Sequence, residues 1–478
     1  MKKYIMIFGA IAFLNSCSDE HYESLNVDPV NPSTVPASFL VSNATESLFD
    51  QMVNTNVNTN IFRLVSQYWN ETTYITETNY DLDTRNINGN IWNELYTDVL
   101  YDLKDAKLRV DEDGSLTDSE KANQKAIIEI LEVYTWQILV DTFGNIPYSE
   151  ALMGVENPSP AYDDAATIYA DLMVRISSAI SAIDSGGEGF GGSDIIYNGD
   201  MSAWKKMGAS LKLRMAMQLA DVNPSAAQTA VLEAVSSGVF SSNADNFTIP
   251  YTTTQPTNNP LYDDLVQSGR TDFVAANTII DYMNPLNDPR RPVYFKENLG
   301  EGIFLGGEYG SPTNYSLYSH PGEILELPDT PGTLLDYAEI EFLLAEAVER
   351  GFAVGGTAES HYNAGINASM EYWGVSSADA ATYLAQSDVA YSSAPGGWKE
   401  KIGKQFWIAM YNRGFEGWTT WRRLDAPTLN IAAATNTPVP FRFTYPALEK
   451  NLNSANYNAA ASAIGGDNLN TKLFWDVN

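Results

Sequence analysis

The sequence is poor in the side chains that most chemistry requires. It holds one cysteine and three histidines in 478 residues. A single thiol, Cys17, permits no internal disulfide and no cysteine-based metal site. The histidines, His21, His320 and His361, form no pair at ligand spacing, and His21 and His361 read as solvated, structural residues. H-E-x-x-H, G-x-S-x-G and G-x-x-x-x-G-K-[ST] are absent, and no G-x-G-x-x-G opens a helix after a strand. Asp111-Glu112-Asp113-Gly114 hints at a calcium loop, but its glycine comes two positions early for an EF-hand and it reads as a turn. No metal, cofactor or catalytic residue is therefore expected. Positive charge is also scarce, with 28 Lys and Arg against 60 Asp and Glu and a net charge of −32. A surface that acidic repels phosphate backbones and has no basic patch to drive counterion release, which excludes nucleic acid as a partner.

Long apolar runs are lacking too. Tyr4 to Leu14 is uninterrupted but falls short of the roughly 20 residues a bilayer-spanning helix needs. After the basic start Lys2-Lys3, and ending at Leu14-Asn15-Ser16-Cys17, it has the form of a signal h-region with a cysteine at the cleavage point. The expectation is a signal peptide over 1–16 and acyl chains on Cys17. Ser18-Asp19-Glu20 resembles an acidic tag for the outer face of an outer membrane, or is simply a solvated part of a tether. The tether runs over 17–36, rich in Asn, Asp, Ser and Pro.

What the body has is helical periodicity and aromatic rings. Hydrophobic residues make up 44% of the chain, enough for a large packed core. Trp92, Leu95, Tyr96, Val99, Leu103 and Ala106 lay one apolar stripe on a helix. Thr117 to Glu120 forms a capping box ahead of Ile127, Ile130, Leu131, Tyr134 and Ile138. Further helices are predicted around 168–180, 204–215, 224–238, 334–350, 361–373, 399–413 and 415–424. Residues 239–331 are irregular apart from one helical stretch near 271–284. Short turns between successive helices predict antiparallel pairs, and the pair near 334–373 has roughly the 34-residue span of a tetratricopeptide-like unit, without its strict consensus. The predicted fold is mainly α with little β. It is one domain over 37–478, a scaffold of tetratricopeptide-like helix pairs carrying a loop-rich insertion at about 239–331.

Aromatic residues form 12% of the chain, including 27 Tyr and 10 Trp. Some lie in polar, loop-like sequence. Trp69, Asn70, Tyr74, Tyr80 and Arg85 cluster in one stretch, with Asn79 and Asn88 nearby; Tyr309, Asn314, Tyr315 and Tyr318 cluster in another. Flat rings stack on the C–H face of a sugar while planar amides and guanidinium groups bond its hydroxyls, and the same set suits a peptide backbone. These residues are the candidate ligand contacts; rings that pack loops onto the scaffold are the alternative. Carboxylate pairs for glycoside hydrolysis remain open, because such groups meet in space and not in sequence.

Several blocks in order resemble the SusD/RagB family of nutrient-binding outer-membrane lipoproteins. They are Trp92-Asn-Glu-Leu-Tyr96, Asp141 to Ala151 (DTFGNIPYSEA), Trp204 to Arg214, Asn287-Asp-Pro-Arg290, Asp336 to Ala347, Glu400 to Trp407, and Arg413 to Trp418 with Trp421 to Leu424, Tyr445-Pro446 and Glu449. Their physical content is structural. Phe143 to Pro147 is a helix stop, and Glu339, Glu346, Arg413, Glu416 and Arg422 suit ion pairs and caps between packed helices. The resemblance implies a helical superhelix with a loop-rich face. It further implies a lid over a SusC-like TonB-dependent transporter that catches an oligosaccharide or oligopeptide at the cell surface. A binding protein without catalysis is thus the leading reading. A surface all-helical glycan-degrading enzyme and a protein-binding helical-repeat scaffold are the alternatives.

Overall fold

The computed structural model describes residues 35–477. Cys17, the signal segment and nearly all of the tether lie outside the described residues. The chain is about 53% helical, with a few short strands.

The first helix, α1 (Ala37–Val53), buries Val41, Ala44, Leu48, Phe49 and Met52, the i, i+3, i+4, i+7 face of its sequence. Next come α2 (Ile87–Asn93) and α3 (Tyr101–Glu112), continuous through a π-helical turn at Glu94–Leu100. The long α4 (Asp118–Phe143) opens on the predicted capping box: Thr117 Oγ1 accepts from the Glu120 N–H at 3.2 Å and Glu120 Oε2 accepts from the Thr117 N–H at 2.7 Å. It stops at Gly144, whose φ of +84° a side chain would resist. From Ala126 to Phe143, α4 is buried almost all round, except at Glu129. It is a central helix rather than a surface one.

Then follow α5 (Ala165–Ala182), α6 (Met201–Gln218) and α7 (Pro224–Ser237), which begins with proline in its first turn under an Asn223 cap. After a short α8 (Asn277–Met283) come α9 (Tyr337–Glu349), α10 (Ala358–Tyr372), α11 (Trp398–Ala409) and α12 (Gly414–Leu424). Helix α4 packs on α5, α6 on α7, α9 on α10 and α11 on α12. The last three pairs are joined by short connections, and packed neighbours joined in that way are antiparallel, as the sequence predicts.

A buried charge cluster ties α6, α9 and α12 together. Arg214 of α6 meets Glu339 of α9 at 2.6 Å, and Arg413, which precedes α12, meets Glu339 and Asp336, each at 2.6 Å. Burial pushes the Glu339 carboxyl up, but Arg214 and Arg413 outweigh it and hold the group below its ordinary value. Arg423 pairs with Glu346. Arg422 donates to the Asp141 carbonyl at 2.6 Å while its guanidinium lies 3.5 Å from the Trp418 ring centre. In Asn287 to Arg290 the fully buried Arg290 and Asp288 pair at 2.6 Å. These charges are the mortar of the scaffold.

The sequence reading needs three corrections here. Trp69 and Asn70, read as loop residues, lie in a strand, β1 (Trp69–Glu71). The helix expected over 271–284 is shorter, because Phe273–Ala275 pairs with β1 as an antiparallel strand, in the register Trp69 opposite Ala275. His361, read as a solvated structural residue, is structural but mostly covered: its Nδ1 lies 2.7 Å from Glu341 Oε2, a hydrogen bond that raises its pKa above the ordinary value.

Candidate functional site

Loops from four parts of the chain converge on one face, and backbone bonds hold them there. Strand β1 pairs with Phe273–Ala275. Thr313 donates its N–H to the Thr72 carbonyl at 2.9 Å and its hydroxyl to the Glu71 carbonyl at 3.0 Å, which joins the 68–88 and 305–320 segments. A third loop at 430–437 closes over both. Its Ala433 N–H donates to the Tyr309 carbonyl at 3.0 Å, and the Thr435 hydroxyl bonds Asn79 Oδ1 at 2.8 Å. The close approach depends on Gly310, at φ +76°: a Cβ there would meet the Ala432 backbone at 2.7 Å. The two aromatic clusters singled out in the sequence are therefore parts of one face. The 430–437 loop was not anticipated, and its sequence (NIAAATNT) carries no aromatic to signal it.

The candidate residues divide into a buried frame and an exposed layer. Trp69 is buried completely, its ring nitrogen donating to the Tyr411 hydroxyl at 2.8 Å. Asn70 is equally buried; its Oδ1 accepts from the Gly310 N–H at 2.9 Å and its amide donates to the Ser311 carbonyl at 3.0 Å. Tyr309 donates to the Leu64 carbonyl at 2.7 Å, and Tyr80 packs on its ring. Tyr80 takes a left-handed φ of 65°, a conformation costing about 1–3 kcal/mol that the packing around it must sustain. Asn88 bonds the Thr444 carbonyl. Trp69, Asn70, Tyr80 and Tyr309, expected as ligand contacts, have no open surface for a ligand, because they are the joints between the loops. Arg85, part-exposed, is engaged by the buried Glu77.

The exposed layer holds the rest. Tyr74, at the tip of loop 72–80, is 61% exposed. Asn314 is exposed and caps a 3₁₀ turn at Tyr315–Leu317, its Oδ1 accepting from the Ser316 N–H at 3.0 Å. Tyr315 is half-buried because one face of its ring lies on the His320 imidazole, with centres 3.7 Å apart and planes at 13°. His320 Nε2 is also 2.9 Å from the Tyr315 carbonyl oxygen. Burial, with Lys296 nearby, holds the His320 pKa below its ordinary value, so the stack is neutral at physiological pH. Tyr318 is half-buried, its carbonyl accepting from Asn298 at 2.9 Å. Leu305 and Leu317 add exposed apolar surface. Beside them lies an open depression of about 460 Å³ lined by Val293, Lys296, Glu297, Asn298, Glu323 and Ile324.

Chemically, this face offers rings, amides and a little apolar surface. It offers no nucleophile–base pair, and no group of three or more potential metal ligands occurs among the described residues. Near it, Glu71 is a buried carboxyl with a raised pKa, and Glu77, paired with Arg85, is buried beside it. Burial, then the hydrogen bond and charge of Glu77, push Glu71 up to about 9. Among the described residues no helix is long and apolar enough to cross a membrane.

Comparison with known proteins agrees with this architecture. Residues 29–446 match the SusD-like family described as "Starch-binding associating with outer membrane". No curated protein matches the chain. Among solved structures, one described as a chitin-binding protein is 26% identical, with a TM-score of 0.79, covering 92% of this chain and 100% of that one. A chitin-binding SusD homologue from Flavobacterium johnsoniae is 27% identical, with a TM-score of 0.77 and coverage of 92% and 98%. A SusD homologue from Bacteroides uniformis is 25% identical, with a TM-score of 0.78 and coverage of 92% and 100%. By its helix pairs, its loop-rich face and this match over most of its length, the chain belongs to the SusD-like family.

Proposed function

We propose that this protein is a surface receptor that binds neutral oligosaccharide on its loop-rich face, without cleaving it, and passes it to a SusC-like TonB-dependent transporter. Acyl chains on Cys17 anchor it in the outer membrane, and the helix-pair body acts as the transporter's lid. The observation that carries the reading is the pair of solvent-facing tyrosines, Tyr74 and the His320-backed Tyr315, held on a rigid frame of buried aromatics. A ring fixed before the ligand arrives loses little entropy on binding, and its open face suits the apolar side of a pyranose. The acidic chain, at −32, favours a neutral ligand over an anionic one. The outer-membrane association in the family description and the chitin-binding relatives support both place and ligand class. Affinity is modest, because an open platform buries little of a polar ligand.

The binding descriptions of the family and of its solved relatives favour capture over the glycan-degrading alternative. Incubation with chitin- and starch-derived oligosaccharides checks this: recovery of intact ligand is expected, and turnover abolished by a single Asp or Glu change would overturn it. The anchor and partner are tested in cells. Palmitate labelling should be lost in Cys17→Ser, and a channel protein of transporter size should co-purify from solubilised outer membrane. Unlabelled protein free in the cytosol would refute the placement.

A further inference from the structure

The 292–298 and 318–324 segments build a second concave surface against the Tyr315 platform. They run antiparallel. The Lys296 N–H donates to the His320 carbonyl at 2.9 Å, the Gly322 N–H donates to the Tyr294 carbonyl at 2.8 Å, and Phe295 lies opposite Pro321. The approach needs glycine at 322, since a Cβ there would fall 1.9 Å from the Val293 carbonyl oxygen. Asn298 fastens the other end: its Oδ1 accepts from the His320 N–H at 3.1 Å and its amide donates to the Tyr318 carbonyl at 2.9 Å. His320 is thus tied by its backbone to two residues that line the depression, while its ring stacks on Tyr315.

The depression holds about 460 Å³, within the roughly 300–1,000 Å³ typical of small-ligand sites. Val293 and Ile324 give it half-buried apolar patches. Its charged groups are left mostly as acceptors. Lys296 is taken by Glu326 at 2.5 Å, so the lysine of the lining is already neutralised. Glu297 spends only Oε1, on the Gly302 N–H at 2.6 Å. Glu323 is exposed and has no partner among the described residues. Two carboxylates with unused lone pairs repel an anionic group and accept hydrogen bonds from hydroxyl or amide N–H groups.

We propose that this depression is a second subsite for the same ligand, taking the saccharide units that follow the one stacked on Tyr315. The inference rests on the oligosaccharide reading above and sharpens it: the face reads a chain of neutral sugar units, with Glu297 and Glu323 accepting hydrogen bonds from its hydroxyl groups. The surface is continuous through His320, so a single chain spans both places. Its second contact forms at the high effective concentration that the first one sets. A ligand too short to reach the depression loses that contribution, and an acidic sugar unit is rejected there.

The test follows two NMR signals while chitin- and starch-derived chains of increasing length, from a single unit upward, are titrated into the protein. The imidazole of His320, one of three histidines in the chain, reports on the platform, and the Ile324 methyl groups report on the depression. Short chains should shift His320 alone. Longer chains should shift His320 and Ile324 together, with affinity rising at the length where Ile324 first responds. In Glu323→Ala, long chains should bind about tenfold more weakly, the worth of one hydrogen bond to a charged group, while the melting temperature stays unchanged. If His320 shifts but Ile324 does not at any length, or if Glu323→Ala binds long chains as tightly as the natural protein, the second subsite is overturned and capture by the platform stands. If neither signal moves with any chain, the oligosaccharide reading fails and the subsite with it.

Discussion

The helix-pair scaffold and the loop-rich face use the same residue types for opposite ends. In the scaffold, charge is internal and paired: Arg214 and Arg413 sit among Asp336, Glu339 and Glu416 between α6, α9 and α12. Around the loop face, most charged groups lie at the surface; the buried Glu77 is paired with Arg85, while Glu71 is held by Thr78 and has no arginine of its own among the described residues. Aromatic rings divide in the same way. Trp407, Trp418 and Trp475 are buried in the body, whereas Tyr74 and Tyr315 keep ring surface in contact with water. A scaffold must be insensitive to its surroundings, and a receptor face must leave part of its bonding capacity unspent. The boundary runs through Trp69 and Tyr309, which stand beneath the face in position and with the scaffold in packing.

The sharpest way to break this comparison is to disturb the buried charges. Glu339→Gln removes the one carboxylate that pairs with both buried arginines, Arg214 and Arg413, and should cost about 3–5 kcal/mol of stability, read as a fall in the urea midpoint. Unchanged stability would show that the cluster is not structural. Trp69→Ala tests on which side of the boundary that residue falls. As a fully buried side chain it should cost about 3–5 kcal/mol, and any loss of binding should follow the loss of folded protein. If Trp69→Ala abolished binding with stability intact, the residue would belong to the ligand surface after all.

Smaller effects are expected on the exposed layer. Tyr315→Ala should weaken oligosaccharide binding by about 1–2 kcal/mol, seen by titration calorimetry, and leave the melting temperature nearly unchanged. Tyr74→Ala should weaken it by about 1 kcal/mol, because that ring is less firmly backed.

The scaffold was legible in the sequence because its signals are local. The capping box at Thr117, the proline opening α7 and the apolar stripes each declare themselves within one or two turns of chain. The loop face was legible only as a collection of candidates. Trp69 and Tyr74 sit five residues apart in similar polar sequence, yet one is buried and the other 61% exposed. What separates them is the pairing of β1 with residues some 200 positions later, opposite Ala275, and the closure of the 430–437 loop, neither of which has a periodic signature. The stack of Tyr315 on His320 was missed for a different reason. Spacing of five residues carries no pattern in irregular backbone, and in the sequence His320 shows only that it has no partner at metal-ligand spacing.

The measurement that reaches furthest is calorimetric titration of the protein, and of a Tyr74→Ala/Tyr315→Ala double variant, with a panel of neutral oligosaccharides that includes chitin- and starch-derived chains. The expected result is saturable, modest binding of at least one chain by the natural protein, with the ligand recovered intact and binding lost in the equally stable double variant. Cleavage of the ligand, undiminished binding by the variant, or no binding across the panel would contradict the assignment of this face to oligosaccharide capture.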